Sequence, residues 1–199
     1  MRSSTLILAF AASRAVAQYT NQSKPFNLVL SSSNKTLDGA LLGACHEGAA
    51  IEGLCFFSGP KNASASYNQY TFNTTSGATP VPNIGIAGLL TYTLPTGDGN
   101  IPSALRISAD LTSNVAVPLF FPGPDTATLV GFDTNNKLFL PQYYDDTVVP
   151  PKYNPEPVYR WYVCTTEDDY VYTTLAWVIG THSPENPSCQ KVHVTRAFV

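Results

Sequence analysis

Acid–base chemistry in this 199-residue chain has to draw on three histidines, His46, His182 and His193, and on 14 Asp and Glu residues. None of them sits in a spacing that announces a reaction. There is no Gly-x-Ser-x-Gly elbow to expose a nucleophile, no His-Glu-x-x-His pair for zinc, and no Gly-Lys-Ser/Thr loop for phosphate. His193 alternates with Lys191 and Thr195, which puts it on the wet face of a strand, and His182 lies in a Pro-rich loop, shortly before Pro184 and Pro187. Both read as solvated imidazoles. Glycoside hydrolysis needs two carboxyl groups facing across a cleft. Glu47, Glu52, Asp145 and Asp146 are the candidates, but adjacent Asp residues usually point apart or serve a turn, and His46-Glu47 reads as the polar part of a short closed loop. No catalytic residue, metal or cofactor is assigned.

Aromatic residues are the stronger lead. Tyr143, Tyr144, Tyr153, Tyr159, Trp161, Tyr162, Tyr170, Tyr172 and Trp177 crowd the last third, with Asp145, Asp146 and Asn154 close by. Aromatic faces beside carboxylates and amides can stack on sugar rings. Tyr143, Tyr144 and Tyr153 are expected in an exposed loop and are the first binding candidates, together with Asp145 and Asp146. Trp161 and Trp177 are kept as candidates too, although on neighbouring strands a place in the core is the favoured reading for each.

The elements that must position these groups are strands. Apolar residues recur at every second position at Phe26, Leu28 and Leu30, at Leu90, Tyr92 and Leu94, and at Leu105, Ile107, Ala109 and Leu111. A period of two marks half-buried strands. Thr128–Phe132, a turn at Asp133–Asn136 and Lys137–Leu140 read as a hairpin. Val158–Cys164, Tyr170–Ile179 and Lys191–Phe198 complete the set, with Glu167–Asp169 as a polar turn. Prolines from Pro141 to Pro157 mark loops or edge positions. Helix is minimal; one helical turn is expected at Ala49–Leu54. The fold class is all-β, an antiparallel β-sandwich or closed barrel, with a β-trefoil as the alternative although no threefold repeat is visible.

Cys45, Cys55, Cys164 and Cys189 form an even set, and three pairings are formally possible. The local one, Cys45 with Cys55 and Cys164 with Cys189, is favoured. Zinc is disfavoured, because no pair has the C-x₂₋₄-C spacing of a structural site.

Residues 1–17 read as a signal peptide. Arg2 precedes the apolar run Leu6–Ala12, and Ala15-Val16-Ala17 has the small-x-small form of a cleavage site. Cleavage would leave Gln18 first, which argues against the copper monooxygenases that use an N-terminal histidine. Residues 18–24 are expected to be a flexible tail and 25–199 a single domain. The C-terminal Thr195–Val199 lacks the apolar tail of a lipid-anchor signal, so no membrane anchor is expected. The chain carries 11 basic against 14 acidic residues, a formal net charge of −3. Loss of Arg2 and Arg14 makes it more acidic still, which disfavours a nucleic-acid partner. Four sequons, at Asn21, Asn34, Asn62 and Asn73, fit a secreted glycoprotein.

Arg160-Trp-Tyr-Val-Cys164, Leu175-Ala-Trp-Val178, Asn186-Pro-Ser-Cys189 and the segment Gly43–Cys55 resemble a family of small secreted proteins of filamentous ascomycete fungi, over nearly the whole chain after residue 17. That family is a domain of unknown function. The resemblance implies a fungal source and an extracellular location and supplies no catalytic residue. The expected role is a secreted, N-glycosylated protein, extracellular or at the cell wall, that binds a cell-wall or host glycan. The alternatives are a hydrolase whose carboxylates converge only in three dimensions, or a host-directed effector or antigen.

Overall fold

The alternating segments built around Phe26–Leu30, Leu90–Leu94 and Leu105–Ala109 all lie in strands. The computed structural model describes residues 19–199 apart from residues 59–61, 63, 98 and 110; the expected leader 1–17 and Gln18 lie outside the described residues. In chain order the strands are β1 (Asn21–Gln22), β2 (Phe26–Ser31), β3 (Leu41–Gly48), β4 (Ile51–Phe56), β5 (Tyr70–Thr74), β6 (Leu89–Thr96), β7 (Gly99–Ala109) and β8 (Val115–Pro122). They continue as β9 (Gly131–Phe132), β10 (Leu138–Asp145), β11 (Lys152–Val158), β12 (Trp161–Glu167), β13 (Val171–Val178), β14 (Gln190–Lys191) and β15 (His193–Phe198). Among the described residues, the helical content is one 3₁₀ turn at Ser66–Asn68.

The strand pairings close on themselves. From β2 they run antiparallel through β3, β4, β8, β7, β6 and β5, and the pair Phe26–Tyr70 returns β5 to β2. This ring of seven strands makes the fold a closed all-β barrel, and closure leaves no open edge around the ring. Phe26, Leu28 and Leu30 of β2 and Leu90 and Tyr92 of β6 point into the core as their alternation predicts. Tyr70 stacks on Phe120 across the interior at 5.7 Å, and its hydroxyl reaches the Leu42 carbonyl at 3.2 Å.

The other seam is wedged open. Trp177 and Val178 of β13 pair with Ala116 and Val115 of β8, while Thr174 of the same strand pairs with Cys55 of β4. β12 and β14 extend the sheet outward from β13, and β15 flanks β2. A separate three-stranded sheet, β9–β10–β11, is fastened to this body by the bridges Gly88–Val130 and Lys137–Thr195. The bridge Asp133 makes in the β9–β10 turn is local: its Oδ1 accepts from the amides of Asn135 and Lys137, which fixes the expected hairpin.

The two disulfides are Cys45–Cys55, across the β3–β4 hairpin, and Cys164–Cys189. Both are the local pairs that the spacing favours.

Three local expectations are corrected. Ala49–Leu54 forms no helical turn: Ala50, at φ +59°, turns the chain and Ile51 starts β4, so cross-strand pairing wins over a single unsupported turn. Leu111 lies beyond the end of β7 and is fully exposed, because β7 ends at Ala109 before the alternation does. Asn21 and Gln22, expected in a loose tail, pair with Thr74 and Asn73 of β5.

Candidate functional site

A groove of about 440 Å³ runs where the ends of β10, β11 and β13 meet. Leu140, Val158, Trp177 and Ile179 give it an apolar floor, and Gln142, Asp145, Asp146, Arg160 and Thr181 supply polar groups at its rim. An apolar trough with a few placed polar groups suits a small ligand with both apolar and hydroxylated faces.

Each wall has a local cause. β13 carries Trp177 past the barrel seam, and Gly180, at φ +72°, then turns the chain in a conformation that side-chain-bearing residues resist. Arg160 sits in the two-residue break between β11 and β12. Its Nε donates to the Val178 carbonyl at 2.8 Å and its Nη2 to the His182 carbonyl at 2.6 Å, which ties the β13 exit to the β11–β12 corner. At the end of β10, Asp145 Oδ1 accepts from the Thr147 hydroxyl at 2.6 Å and the Thr147 amide at 3.0 Å. Those bonds lower the Asp145 pKa and hold it as a carboxylate.

Of the residues singled out from the sequence, Asp145, Asp146 and Trp177 are brought together here, although about thirty positions separate them. Tyr143, Tyr144 and Tyr153 do not line the groove, and they are not in a loop. They belong to the paired strands β10 and β11, a correction with a clear cause. Pro141 and Pro157 stand opposite each other, at a ladder position that asks for no N–H from either ring, and β11 is the outer strand of its sheet. The prolines that suggested a loop are thus compatible with an edge hairpin.

Tyr144 and Tyr153 face each other across that hairpin, with ring centroids 5.4 Å apart and planes at 70°. They are 60 % and 59 % exposed. The register shifts between Gln142 and Tyr144, and Tyr143 is the residue in the shift. It is partly buried, and burial first, then the neighbouring Tyr153 and Tyr19, raises its pKa. Further along, the Tyr159 hydroxyl donates to Asp133 Oδ2 at 3.0 Å; burial and that carboxylate push its pKa up to about 12.

The two tryptophans have different fates. Trp161 is buried and donates its indole N–H to the Leu138 carbonyl at 2.9 Å, so it is a core residue that pins β10. Trp177 packs edge-on against it at 4.8 Å and is 9 % exposed, the margin through which it reaches the groove. Gln142, Arg160, Ile179 and Thr181 are not legible as site residues from the sequence; Gly180 directly after an apolar strand is the one signal that the chain turns there.

The carboxylates of the first disulfide hairpin are arranged differently. Glu52 pairs across the ladder with His46, whose Nδ1 lies 3.7 Å from its Oε1, and the imidazole packs beside Tyr170 at 5.8 Å. Burial raises the Glu52 pKa and His46 opposes that rise. Glu47, at the register shift between His46 and Gly48, is 1 % exposed and its Oε2 has no hydrogen-bond partner. Burial raises its pKa, the backbone N–H of Tyr170 opposes the rise, and the charges of Asp168 and Asp169 add to it. A Glu47 oxygen and the sulfurs of Cys45 and Cys55 lie within 4.8 Å of one another. The sulfurs are bonded to each other, so they offer no thiolate to a metal.

Among known proteins, no curated protein and no solved structure matches this chain. One family model does, over residues 23–198, which span the barrel, the outer sheet and the groove. The chain therefore belongs to the family described as a domain of unknown function, DUF7907.

Proposed function

We propose that this is a secreted, cell-wall-associated glycan-binding protein of fungal origin, and that it holds its ligand at the β10–β11 hairpin and the adjoining groove. The observation that carries the reading is the exposed Tyr144–Tyr153 pair on paired strands, one residue before Asp145 enters the groove. A pyranose has an apolar face and a hydroxyl rim. The first suits aromatic rings and the Trp177 floor; the second suits carboxylates, amides and a guanidinium. Mounting the rings on strands limits the entropy lost on binding. Two local disulfides accord with an oxidising compartment.

The hydrolase alternative asks for two carboxyl groups on opposite sides of a cleft. Asp145 and Asp146 are sequence neighbours on one wall, and Asp145 is bound to Thr147.

The test is a pull-down of enzymatically deglycosylated protein against insoluble chitin, β-glucan, cellulose and whole fungal wall. The expected result is saturable binding to at least one, weakened roughly tenfold by Tyr144→Ala or Tyr153→Ala, the equivalent of ~1.4 kcal/mol. Asp146→Ala, which removes a rim group without disturbing the tyrosines, is expected to weaken binding less. Absence of binding to all four materials overturns the proposal.

A further inference from the structure

Lys191 and His193, which the sequence puts on the wet face of a strand, meet further cations once the chain is folded. Lys191 ends β14 and His193 opens β15; both are exposed, and the buried Val192 and Val194 alternate with them. The antiparallel bridge between Lys137 and Thr195 sets Lys137 beside the same face, one diagonal from His193. On the other flank the Lys191 ammonium donates to the Tyr159 carbonyl at 2.8 Å and stands 4.7 Å from the centre of the Tyr162 ring. It is held at a fixed point, and one carbonyl takes only one of its three N–H bonds. Arg160 follows Tyr159 directly.

Gathering like charges is unfavourable unless an opposite charge sits among them. Among the described residues Lys137, Arg160, Lys191 and His193 form no ion pair; the one ion pair is His46 with Glu52 in the first disulfide hairpin. Burial and then Arg160 lower the Lys191 pKa, and burial, Lys137 and Lys191 lower that of His193. Asp133, in the turn that leads to Lys137, is already committed: Oδ1 accepts from the Asn135 and Lys137 amides and Oδ2 from the Tyr159 hydroxyl. Opposite His193 on β2 stands the uncharged Ser31. The chain has a formal net charge of −3, so composition gives no reason for these cations to crowd together.

We infer that Lys137, Lys191 and His193, beside Arg160, bind a tetrahedral oxyanion, a phosphate or sulfate group. Such a group accepts from several donors at once, which suits an anchored ammonium, a second ammonium and an imidazolium on one face. His193 makes the affinity depend on pH. Its lowered pKa leaves the ring neutral near pH 7; binding strengthens as pH falls and the ring takes up a proton, and by linkage a bound anion raises the His193 pKa. Arg160 also lines the groove, but the inference does not rest on ligand binding there.

The full chain is made with isotope-labelled histidine, and its imidazoles are titrated by NMR in sodium sulfate and in sodium chloride of equal ionic strength. Sulfate does not itself titrate in this range, and the matched salts screen the lysines alike. His193→Gln identifies the signal. The His193 midpoint is expected to lie at least about half a pH unit higher in sulfate than in chloride, with His46 unmoved. Lys191→Gln and Lys137→Gln should each remove most of that difference; Lys137→Gln decides alone if loss of the Tyr159 contact keeps the other variant from folding. Glucose-6-phosphate and inorganic phosphate then compete with sulfate at one pH. Tighter binding of the ester puts the anion on a larger ligand, and equal or tighter binding of inorganic phosphate makes it a free ion; either supports the site. Equal His193 midpoints in the two salts, an equal movement of His46, a difference that survives Lys137→Gln, or failure of both phosphates to compete overturns the inference.

Discussion

Glu47 is the residue whose environment departs furthest from what its chemistry prefers. A buried carboxylate oxygen without a partner, near Asp168 and Asp169, is costly while charged. Because its pKa is raised, the folded chain holds the proton more tightly than the unfolded chain. The penalty is absent below the ordinary glutamate pKa, accrues as pH rises through the folded value, and is complete above it. Glu47→Gln is therefore expected to stabilise the protein by ~1 kcal/mol at pH 7 and by nearly nothing at pH 4. Urea midpoints at the two pH values check this; equal gains at both would refute the electrostatic account. Glu47 and Glu52 both looked like acid–base candidates in the sequence. Only three dimensions show that Glu52 answers His46 across the ladder while Glu47 is packed beneath the Asp168–Tyr170 turn.

At the scale of elements, packing against Gly131 decides whether the outer sheet can seat itself. A Cβ there would stand 2.2 Å from Phe139 Cζ, and Phe139 is fully buried, so the ring has nowhere easy to go. Gly131→Ala should cost ~1–3 kcal/mol, read as a lower urea midpoint at unchanged slope. The β9–β10 hairpin was legible in the sequence because Asp133–Asn136 separates two apolar runs, and β2 and β6 were legible because alternation marks a half-buried strand. β11 was not. Five prolines between Pro141 and Pro157 mask a strand that survives only at a sheet edge. The local disulfides were the favoured pairing among the three the sequence allows. The groove was not, since Asp145, Asp146 and Trp177 meet through tertiary packing, and nothing near Trp177 in the sequence says that its outer edge is left open.

For the whole molecule, closure is the property that no local pattern states. It depends on a short seam, Phe26 with Tyr70, and on a splayed one that β13 fills. Neither disulfide crosses the first seam: Cys45–Cys55 staples a hairpin and Cys164–Cys189 holds β12 to the segment that precedes β14. β13 is hydrogen-bonded to β12, β8 and β4 and also supplies the Trp177 floor of the groove. A strand shared in this way cannot detach without breaking its pairing to three neighbours and uncovering the splayed seam between β4 and β8. The amide protons of Thr174 to Val178 should consequently exchange with solvent deuterium only as fast as the entire chain unfolds, and denaturant should speed them with the full global dependence. The wall of the groove would then have no private breathing motion, and any ligand it takes must enter a shape already made.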